Sequence, residues 1–283
     1  MKLGMIGLGR MGGNMAERLR RHGHEVVGMD PGKPDADAHS LAELVPLLAA
    51  DGQPRVAWSM VPAGEITDAT ITELAGLLSP GDLVIDGGNS NFHDSIAHGT
   101  ALAERGIHFV DCGTSGGVWG LENGYALMVG GSAEAVAIAQ PIFDALAPAK
   151  GFGHVGPIGA GHYVKMVHDG IAYAFMESIA EVYDVLLRGM ALDTAELADV
   201  FTAWNATEAR SFLIEVSGPI LRQRAPDSRL PLIDLILDSA RPGGAPLWAA
   251  QEALALGVPL PSITAAIEVR QMSAYKEQRV VAS

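Results

Sequence analysis

Residues 1–12 read MKLGMIGLGRMG, and this stretch decides the fold of the first half of the chain. Its apolar run, Lys2–Ile6, predicts a strand. The GxGxxG pattern of Gly7, Gly9 and Gly12 follows directly, and helical periodicity over Met11–His22 predicts a helix after it. A strand–loop–helix unit of this kind presents helix N–H groups to a pyrophosphate, so the stretch indicates a dinucleotide site.

Asp30 follows the second predicted strand, Glu25–Met29. A carboxylate at the end of that strand accepts hydrogen bonds from the adenosine ribose hydroxyls and repels a 2′-phosphate. We therefore expect NAD as cofactor, with NADP less favoured, although the nearby cation Lys33 would soften this preference. A glycine-rich turn that binds no ligand is the alternative for the whole segment.

Strand and helix patterns alternate through the first half of the chain. Further strands are predicted at Val56–Val61, Leu83–Asp86, His108–Asp111 and Tyr125–Val129. This alternation is typical of an α/β fold with a parallel Rossmann sheet. Beyond residues 151–161 long helical patterns replace the strands. We predict a dinucleotide-binding domain at 1–157 and an all-α substrate and dimerisation domain at 158–283.

The composition of the chain argues against several classes of binding partner. A net charge of −14 gives no general attraction to nucleic acid or to anionic membranes. The single cysteine, Cys112, excludes an internal disulfide, and no stretch approaches the roughly 18–20 apolar residues of a membrane span. The histidines are scattered without metal-ligand spacing, so no metal is predicted. We expect a cytoplasmic protein with a small-molecule substrate.

The long helical pattern after residue 161 carries a polar stripe. Offsets of three, four, seven and eight residues place its members on one face: Lys165, His168, Asp169, Ala172 and Tyr173. The rest of the helix is mostly apolar, so the stripe is expected to line a cavity. A snorkelling side chain is the alternative for Lys165. A structural hydrogen-bonded pair is the alternative for His168 with Asp169.

Four segments in this order resemble the 6-phosphogluconate dehydrogenase family, and the chain is most similar to its short bacterial type within the β-hydroxyacid dehydrogenases. The segments are the glycine loop followed by SMVPAG at 59–64, DGGNS at 86–90, GTSGGVWG at 113–120 with LMVGG at 127–131, and GAGHYVKMVH at 159–168. The resemblance covers nearly the whole chain. It implies a nicotinamide-dependent dehydrogenase. Because a domain this rich in helix usually associates with a partner, we also expect a homodimer or homotetramer through the helical domain.

The resemblance also implies roles for single residues. Lys165 is the general base that takes the proton from the substrate hydroxyl. The substrate-binding candidates are Asn89, Ser115, Gly116, Gly117, His168, Asp169, Tyr173 and Arg210. The cofactor-binding candidates are Gly7, Leu8, Gly9, Arg10, Met11, Gly12, Asp30, Met60, Val61, Pro62 and Asn89. Without the resemblance, an ordinary turn or loop is the alternative for Asn89 and for residues 115–117.

The sequence departs from the family pattern at three positions that the resemblance assigns to substrate binding and catalysis. Asp169 stands where the family has Asn, and Ala172 where it has the Glu that supplies the proton completing the enol-to-ketone step. Residues 246–249, PLWA, replace a phosphate-holding basic residue followed by Trp-Thr. Arg210 and Arg241 are the cations that remain available to bind an anionic group of the substrate. We therefore predict an NAD-dependent 3-hydroxyacid dehydrogenase for a sugar-type acid, with decarboxylation possible.

Three alternatives stay open. The first is a paralogue in a specialised pathway, acting on a non-phosphorylated or nucleoside-like substrate without decarboxylation. The second is a dinucleotide-binding regulator that has lost turnover. The third is an imine reductase of the same architecture, against which Lys165 argues because those enzymes typically lack the base lysine.

Overall fold

The computed structural model describes residues 1–49, 52–240 and 244–282. The chain forms two compact units, Met1–Met166 and Val167–Ser283. The first is α/β and the second is helical, so the predicted fold class is confirmed. The predicted boundary at residue 157 stays a prediction.

The first unit is built on one seven-stranded sheet with the strand order β2-β1-β3-β4-β5-β6-β7. The strands are β1 Lys2–Ile6, β2 Glu25–Met29, β3 Val56–Ser59, β4 Leu83–Asp86, β5 His108–Ser115, β6 Ala126–Gly131 and β7 Phe152–Gly156. The helices between them are α1 Arg10–Arg21, α2 Leu41–Leu47, α3 Glu65–Leu77, α4 Phe92–Ala103, the short α5 Gly120–Asn123 and α6 Ala133–Leu146.

The order of winding reverses beside β1. This strand pairs in parallel with β2 on one side and with β3 on the other, so that Ile6 lies opposite both Met29 and Ser59. The carboxyl ends of three strands therefore meet at a topological switch point, where open α/β sheets bind their ligands.

The sheet differs from the prediction at its far edge. Strand β6 runs antiparallel to β5, with Cys112 opposite Val129, because a loop with one short helix connects them instead of a full crossover. Strand β7 was not predicted at all. It contains two glycines and exposes His154 and Val155, so it lacks the apolar pattern that predicts a strand.

Both faces of the central strands are covered by apolar side chains. Leu3, Met5 and Trp58 are fully buried in one cluster, whereas Ile6 and Val84 belong to a second cluster. Burial on both faces explains why these strands are nearly continuous apolar runs in the sequence.

Helix α7, Ala160–Gly189, begins in the first unit and continues into the second. The remaining helices are α8 Thr194–Trp204, α9 Phe212–Leu221, α10 Ala245–Leu256, α11 Pro261–Ser273 and α12 Lys276–Ala282. Leu197, Phe201 and Ile214 are buried in the core of this unit. Among the described residues, no helix has the length and apolar character needed to cross a membrane.

Candidate active site

The glycine loop after β1 has the geometry that its sequence predicts. Gly7 adopts a φ of +85°, a left-handed turn that favours glycine. A Cβ atom on Gly12 would lie 2.0 Å from the carbonyl oxygen of Gly7, so only glycine lets α1 approach the strand so closely. A Cβ on Gly9 would meet nothing within 4 Å. Gly9 therefore faces open space, at the N-terminus of α1.

That open space is a cavity of about 740 Å³ at the switch point. Its lining includes the predicted cofactor residues Gly7, Gly9, Arg10, Met11, Gly12, Asp30, Met60, Val61, Pro62 and Asn89, together with Thr114 and Lys165. The side chain of Leu8 lies instead toward Gly28. The cavity suits a dinucleotide because the first turn of α1 offers N–H groups and the positive end of its dipole to a pyrophosphate.

Asp30 forms a hydrogen bond with the glycine loop itself. Its two carboxylate oxygens accept hydrogen bonds of 2.9 Å from the backbone N–H groups of Leu8 and Gly32. The carboxylate thereby ties the glycine loop to the end of β2. The exposed cation Arg10 lines the same cavity.

Lys165 and Asn89 come together at the other end of this cavity. The Lys165 ammonium donates a hydrogen bond of 2.8 Å to Oδ1 of Asn89. Asn89 stands on the loop after β4, where the buried Asp86 accepts a 3.0 Å bond from the Gly88 N–H. The lysine stem passes over Gly113, where a Cβ would lie 2.6 Å from the Lys165 Cβ.

Ser115 is the last residue of β5, and Gly116 and Gly117 follow it in the loop after that strand. Gly116 and Gly117 adopt φ values of +150° and +54°. The loop rests on the ring of Tyr125, which a Cβ on Gly116 would approach to 2.8 Å and one on Gly120 to 2.0 Å. Tyr125 is fully buried, and burial raises the pKa of its hydroxyl. Sequence reasoning missed this support, although the glycines that accommodate the ring were visible in the motif.

The other predicted substrate residues belong to the second unit. His168 Nδ1 lies 3.6 Å from Asp169 Oδ1, beyond hydrogen-bond distance. The Arg270 guanidinium donates a 2.8 Å bond to the Tyr173 hydroxyl oxygen and lies 4.1 Å from the centre of its ring. No sequence signal pointed to Arg270, since 97 positions separate the pair.

Arg210 lines a separate cavity of about 490 Å³ within the second unit, beside Phe175 and Trp204. Arg241 was the other predicted cation and lies outside the described residues. Within the described part of the chain, no group of three His, Cys, Asp or Glu side chains is arranged to hold a metal ion.

The fold and the cavity of the first unit define a class, that of a Rossmann-type dinucleotide-binding unit followed by a helical unit. Residues 2–156 match the family model described as the NAD binding domain of 6-phosphogluconate dehydrogenase. Residues 161–283 match the model described as the C-terminal domain of 6-phosphogluconate dehydrogenase. The chain belongs to the 6-phosphogluconate dehydrogenase family, as its sequence segments indicated.

Three similar proteins define the relationship further. A Bacillus subtilis protein named 6-phosphogluconate dehydrogenase, NADP(+)-dependent, decarboxylating, is 41% identical over 100% of this chain and 63% of its own length. The structure of Plasmodium falciparum 6-phosphogluconate dehydrogenase, described in complex with NADP+ and with 6-phosphogluconate, superposes with a TM-score of 0.91. It is 29% identical, over 100% of this chain and 64% of that one.

The third is Mycobacterium tuberculosis 3-hydroxyisobutyrate dehydrogenase, which shares the fold with a TM-score of 0.74 at 24% identity. The similarity covers 97% of this chain and 94% of that one. By contrast, the chain spans only 63% and 64% of the lengths of the two 6-phosphogluconate dehydrogenases described above, which is slightly less than two thirds.

The expected preference for NAD over NADP is wrong. The Bacillus subtilis relative is named NADP(+)-dependent, and the Plasmodium falciparum structure is described with NADP+. The geometry of Asp30 weakens the basis of that expectation. Both of its oxygens accept backbone N–H groups, so the carboxylate has a role in holding the loop that does not depend on a ribose.

Proposed function

We propose that this chain is an NADP+-dependent oxidoreductase that oxidises and decarboxylates 6-phosphogluconate or a closely related 3-hydroxyacid. The observation that carries the proposal is the single cavity that joins the glycine loop to the Lys165–Asn89 pair. The family membership and the printed activities of the relatives support it.

Lys165 is the proposed general base. In its neutral form its amine removes the proton from the hydroxyl at C3 of the substrate, and the bound nicotinamide supplies the hydride acceptor. The resulting ammonium then donates a hydrogen bond to the new carbonyl oxygen and stabilises the negative charge that develops there as the C1 carboxylate leaves as CO2. Asn89 holds the amine toward the cavity during both steps.

We propose that the other predicted residues position the substrate. The backbone N–H groups of residues 115–117 are suited to bind the substrate carboxylate, as successive amides in a loop bind anions. His168 and Tyr173 stand three and eight positions after Lys165 on α7, so they share its helix face. Asp169 and Arg210 remain candidates for the remote hydroxyls and for an anionic group.

The last step needs an acid. Carbon protonation after loss of CO2 is the role of the family Glu that is Ala172 here. We propose that Tyr173 or a water molecule supplies this proton. Arg270 donates to the Tyr173 oxygen, which leaves the phenol hydrogen available for donation.

We propose Arg10 as the cation for the 2′-phosphate of NADP+. It lines the cavity together with Asp30 and Pro31. A guanidinium binds phosphate oxygens with two parallel hydrogen bonds, and the Asp30 charge is neutralised in part by its backbone donors.

A non-phosphorylated 3-hydroxyacid is the second candidate substrate. It is favoured by the segment 246–249, which lies within α10. This segment lacks the cation and the hydroxyl of the family's phosphate-holding stretch. Comparison of 6-phosphogluconate with gluconate as substrates separates the two.

We also propose that the helical unit pairs with a second copy of the chain. Large apolar side chains are exposed on α7, α10 and α12, among them Ile171, Val185, Leu254 and Val281. Where such side chains lie together in one patch, they mark an association surface. Light scattering of the purified protein measures the oligomeric state, and a monomer at micromolar concentration would contradict pairing.

The central experiment follows both products. Purified protein is mixed with NADP+ and 6-phosphogluconate, and the absorbance of NADPH is recorded while released CO2 is trapped. We expect both products and a ketopentose phosphate. Binding of NADP+ without formation of NADPH from any aldonate, phosphorylated or not, would contradict the proposal and favour a non-catalytic dinucleotide-binding protein.

A further inference from the structure

We propose that a buried network of Asp111, His162 and Ser95 positions Lys165 against Asn89. The proposal rests on the proposed function, in which Lys165 is the base. None of the three residues was among the predicted site residues. They act through the two elements that carry the lysine and the asparagine.

Asp111 holds the beginning of α7. Its carboxylate is fully buried, and its oxygens accept bonds of 2.7 Å from the Gly159 N–H and 2.8 Å from the His162 N–H. These donors belong to the start of the helix, where N–H groups have no partner within the helix and a negative charge is favourable. Asp111 therefore fixes the first turn, directly before the turn that carries Lys165.

His162 connects that turn to α4. Its ring is buried, with Nδ1 at 2.7 Å from the hydroxyl oxygen of Ser95. The Ser95 hydroxyl in turn lies 3.3 Å from the carbonyl oxygen of Asn91, the N-cap residue of α4. Asn91 follows Asn89 by two positions. The contacts thus run from the helix that carries Lys165 to the loop that carries Asn89.

The direction of these hydrogen bonds can be assigned. Asp111 Oδ2 lies 3.9 Å from His162 Nδ1, so the carboxylate favours the tautomer with its proton on Nδ1. That N–H then donates to the Ser95 oxygen, and the Ser95 hydroxyl donates to the Asn91 carbonyl. In this arrangement His162 Nδ1 and the Ser95 hydroxyl both have partners, whereas His162 Nε2 is buried without one.

Close packing keeps the network rigid. A Cβ on Gly130 would lie 2.4 Å from Asp111 Oδ1, and one on Gly161 would lie 2.9 Å from Oδ2. Only glycine at these two positions lets the backbone lie so close to the carboxylate. A rigid support of this kind holds a reacting group in place, where a displacement of 1 Å costs about 100-fold in rate.

Asp82 provides a matched control for a purely structural role. It is also buried, directly before the sheet strand β4, and its oxygens accept 2.8 Å bonds from the N–H groups of Arg55 and Ser79. It precedes β4, whereas Asn89 follows that strand, so it lies at the opposite end of the sheet from the cavity.

The experiment compares Asp111→Asn, Ser95→Ala and Asp82→Asn with the wild-type enzyme. The measurements are kcat, the Kd of NADP+, the Tm, and amide hydrogen exchange in the peptide 159–166. We expect Asp111→Asn to lower kcat by about 10- to 100-fold, to leave the Kd of NADP+ nearly unchanged and to accelerate exchange in 159–166. Ser95→Ala should lower kcat by a smaller factor. Asp82→Asn should lower the Tm but leave both kcat and this exchange unchanged.

The outcomes distinguish this proposal from the proposed function. If Asp111→Asn and Asp82→Asn lose stability alike and both keep the wild-type kcat, the positioning role is overturned. If the wild-type protein shows no turnover, the proposed function fails, while the exchange in 159–166 still decides whether Asp111 holds the helix. Where Asp111→Asn does not fold, Ser95→Ala removes one hydroxyl only, and an unchanged kcat in that variant overturns the proposal.

Discussion

The ammonium of Lys165 lies 2.8 Å from the amide oxygen of Asn89, although 76 positions separate the two residues in the chain. The fold brings them together because the loop after β4 and the start of α7 both meet the carboxyl end of the sheet. An amide oxygen accepts a hydrogen bond from either the protonated or the neutral amine. The pair can therefore persist while Lys165 changes its protonation state.

Replacement of Lys165 by methionine tests the proposed base directly. The variant keeps most of the stem that packs over Gly113 but loses the amine, so we expect kcat to fall by about 100- to 10,000-fold. The Kd of NADP+, measured by calorimetry, should change little. The exposed Lys150 offers a matched Lys150→Met control. Equal kcat values in the two variants would remove Lys165 from the mechanism.

Gly113→Ala tests the space beneath the lysine. The new Cβ would lie 2.6 Å from the Lys165 Cβ and 2.8 Å from the Gly161 carbonyl oxygen. Such overpacking typically costs about 1–3 kcal/mol of unfolding free energy, and it should displace the amine and lower kcat. Gly153→Ala is the control, since its Cβ would meet its nearest neighbour at an ordinary 3.6 Å. A Gly113→Ala enzyme with full kcat would show that the close approach is not needed.

Much of the fold could be predicted because its signals are local. The periodicity of the first strand and helix, and the glycines between them, are dictated by backbone geometry at those positions. The antiparallel β6 and the edge strand β7 could not be predicted in the same way. Pairing direction depends on the length of the connection, and β7 is too rich in glycine and too exposed to carry an apolar pattern.

The residues of the candidate site could likewise be predicted only where the signal in the sequence is local. Gly7, Gly12, Asn89 and Lys165 stood out because motifs and helix spacing mark them. The roles of Asp30 and Asp111 did not, because a carboxylate in the sequence does not reveal which backbone N–H groups it will meet. The cofactor preference rested on Asp30, and the NADP+-dependent relatives show that it was wrong.

Asp30→Ala separates a loop-binding role from a ribose-binding role. Loss of the two 2.9 Å bonds to backbone N–H groups should loosen the glycine loop and weaken NADP+ and NAD+ by a similar factor, about 10-fold or more. The KM of each cofactor is the measurement, with exposed Asp35→Ala as control. Stronger NADP+ binding together with weaker NAD+ binding would instead assign Asp30 to the ribose.

Arg10→Ala tests the proposed contact with the 2′-phosphate. A charge-assisted hydrogen bond to phosphate contributes enough that the KM of NADP+ should rise by about 10-fold, whereas NAD+ lacks that phosphate and should be nearly unaffected. The ratio of the two KM values at low and high salt is the measurement. A parallel rise for both cofactors would place Arg10 at the pyrophosphate, which the two share.

Ala172→Glu tests whether the missing acid limits the last step of the proposed reaction. Ala172 stands seven positions after Lys165 on α7, so a carboxylic acid there shares the helix face of the proposed base. If carbon protonation is slow in the wild-type enzyme, the variant should form the ketopentose phosphate faster, while the rate of NADPH formation in the first turnover stays the same. Rapid quenching resolves these steps, and Ala180→Glu, at an exposed position of the same helix, controls for the added charge. Unchanged product formation in Ala172→Glu would mean that Tyr173 or water already supplies the proton without limiting turnover, and a further Tyr173→Phe substitution would then decide between those two donors.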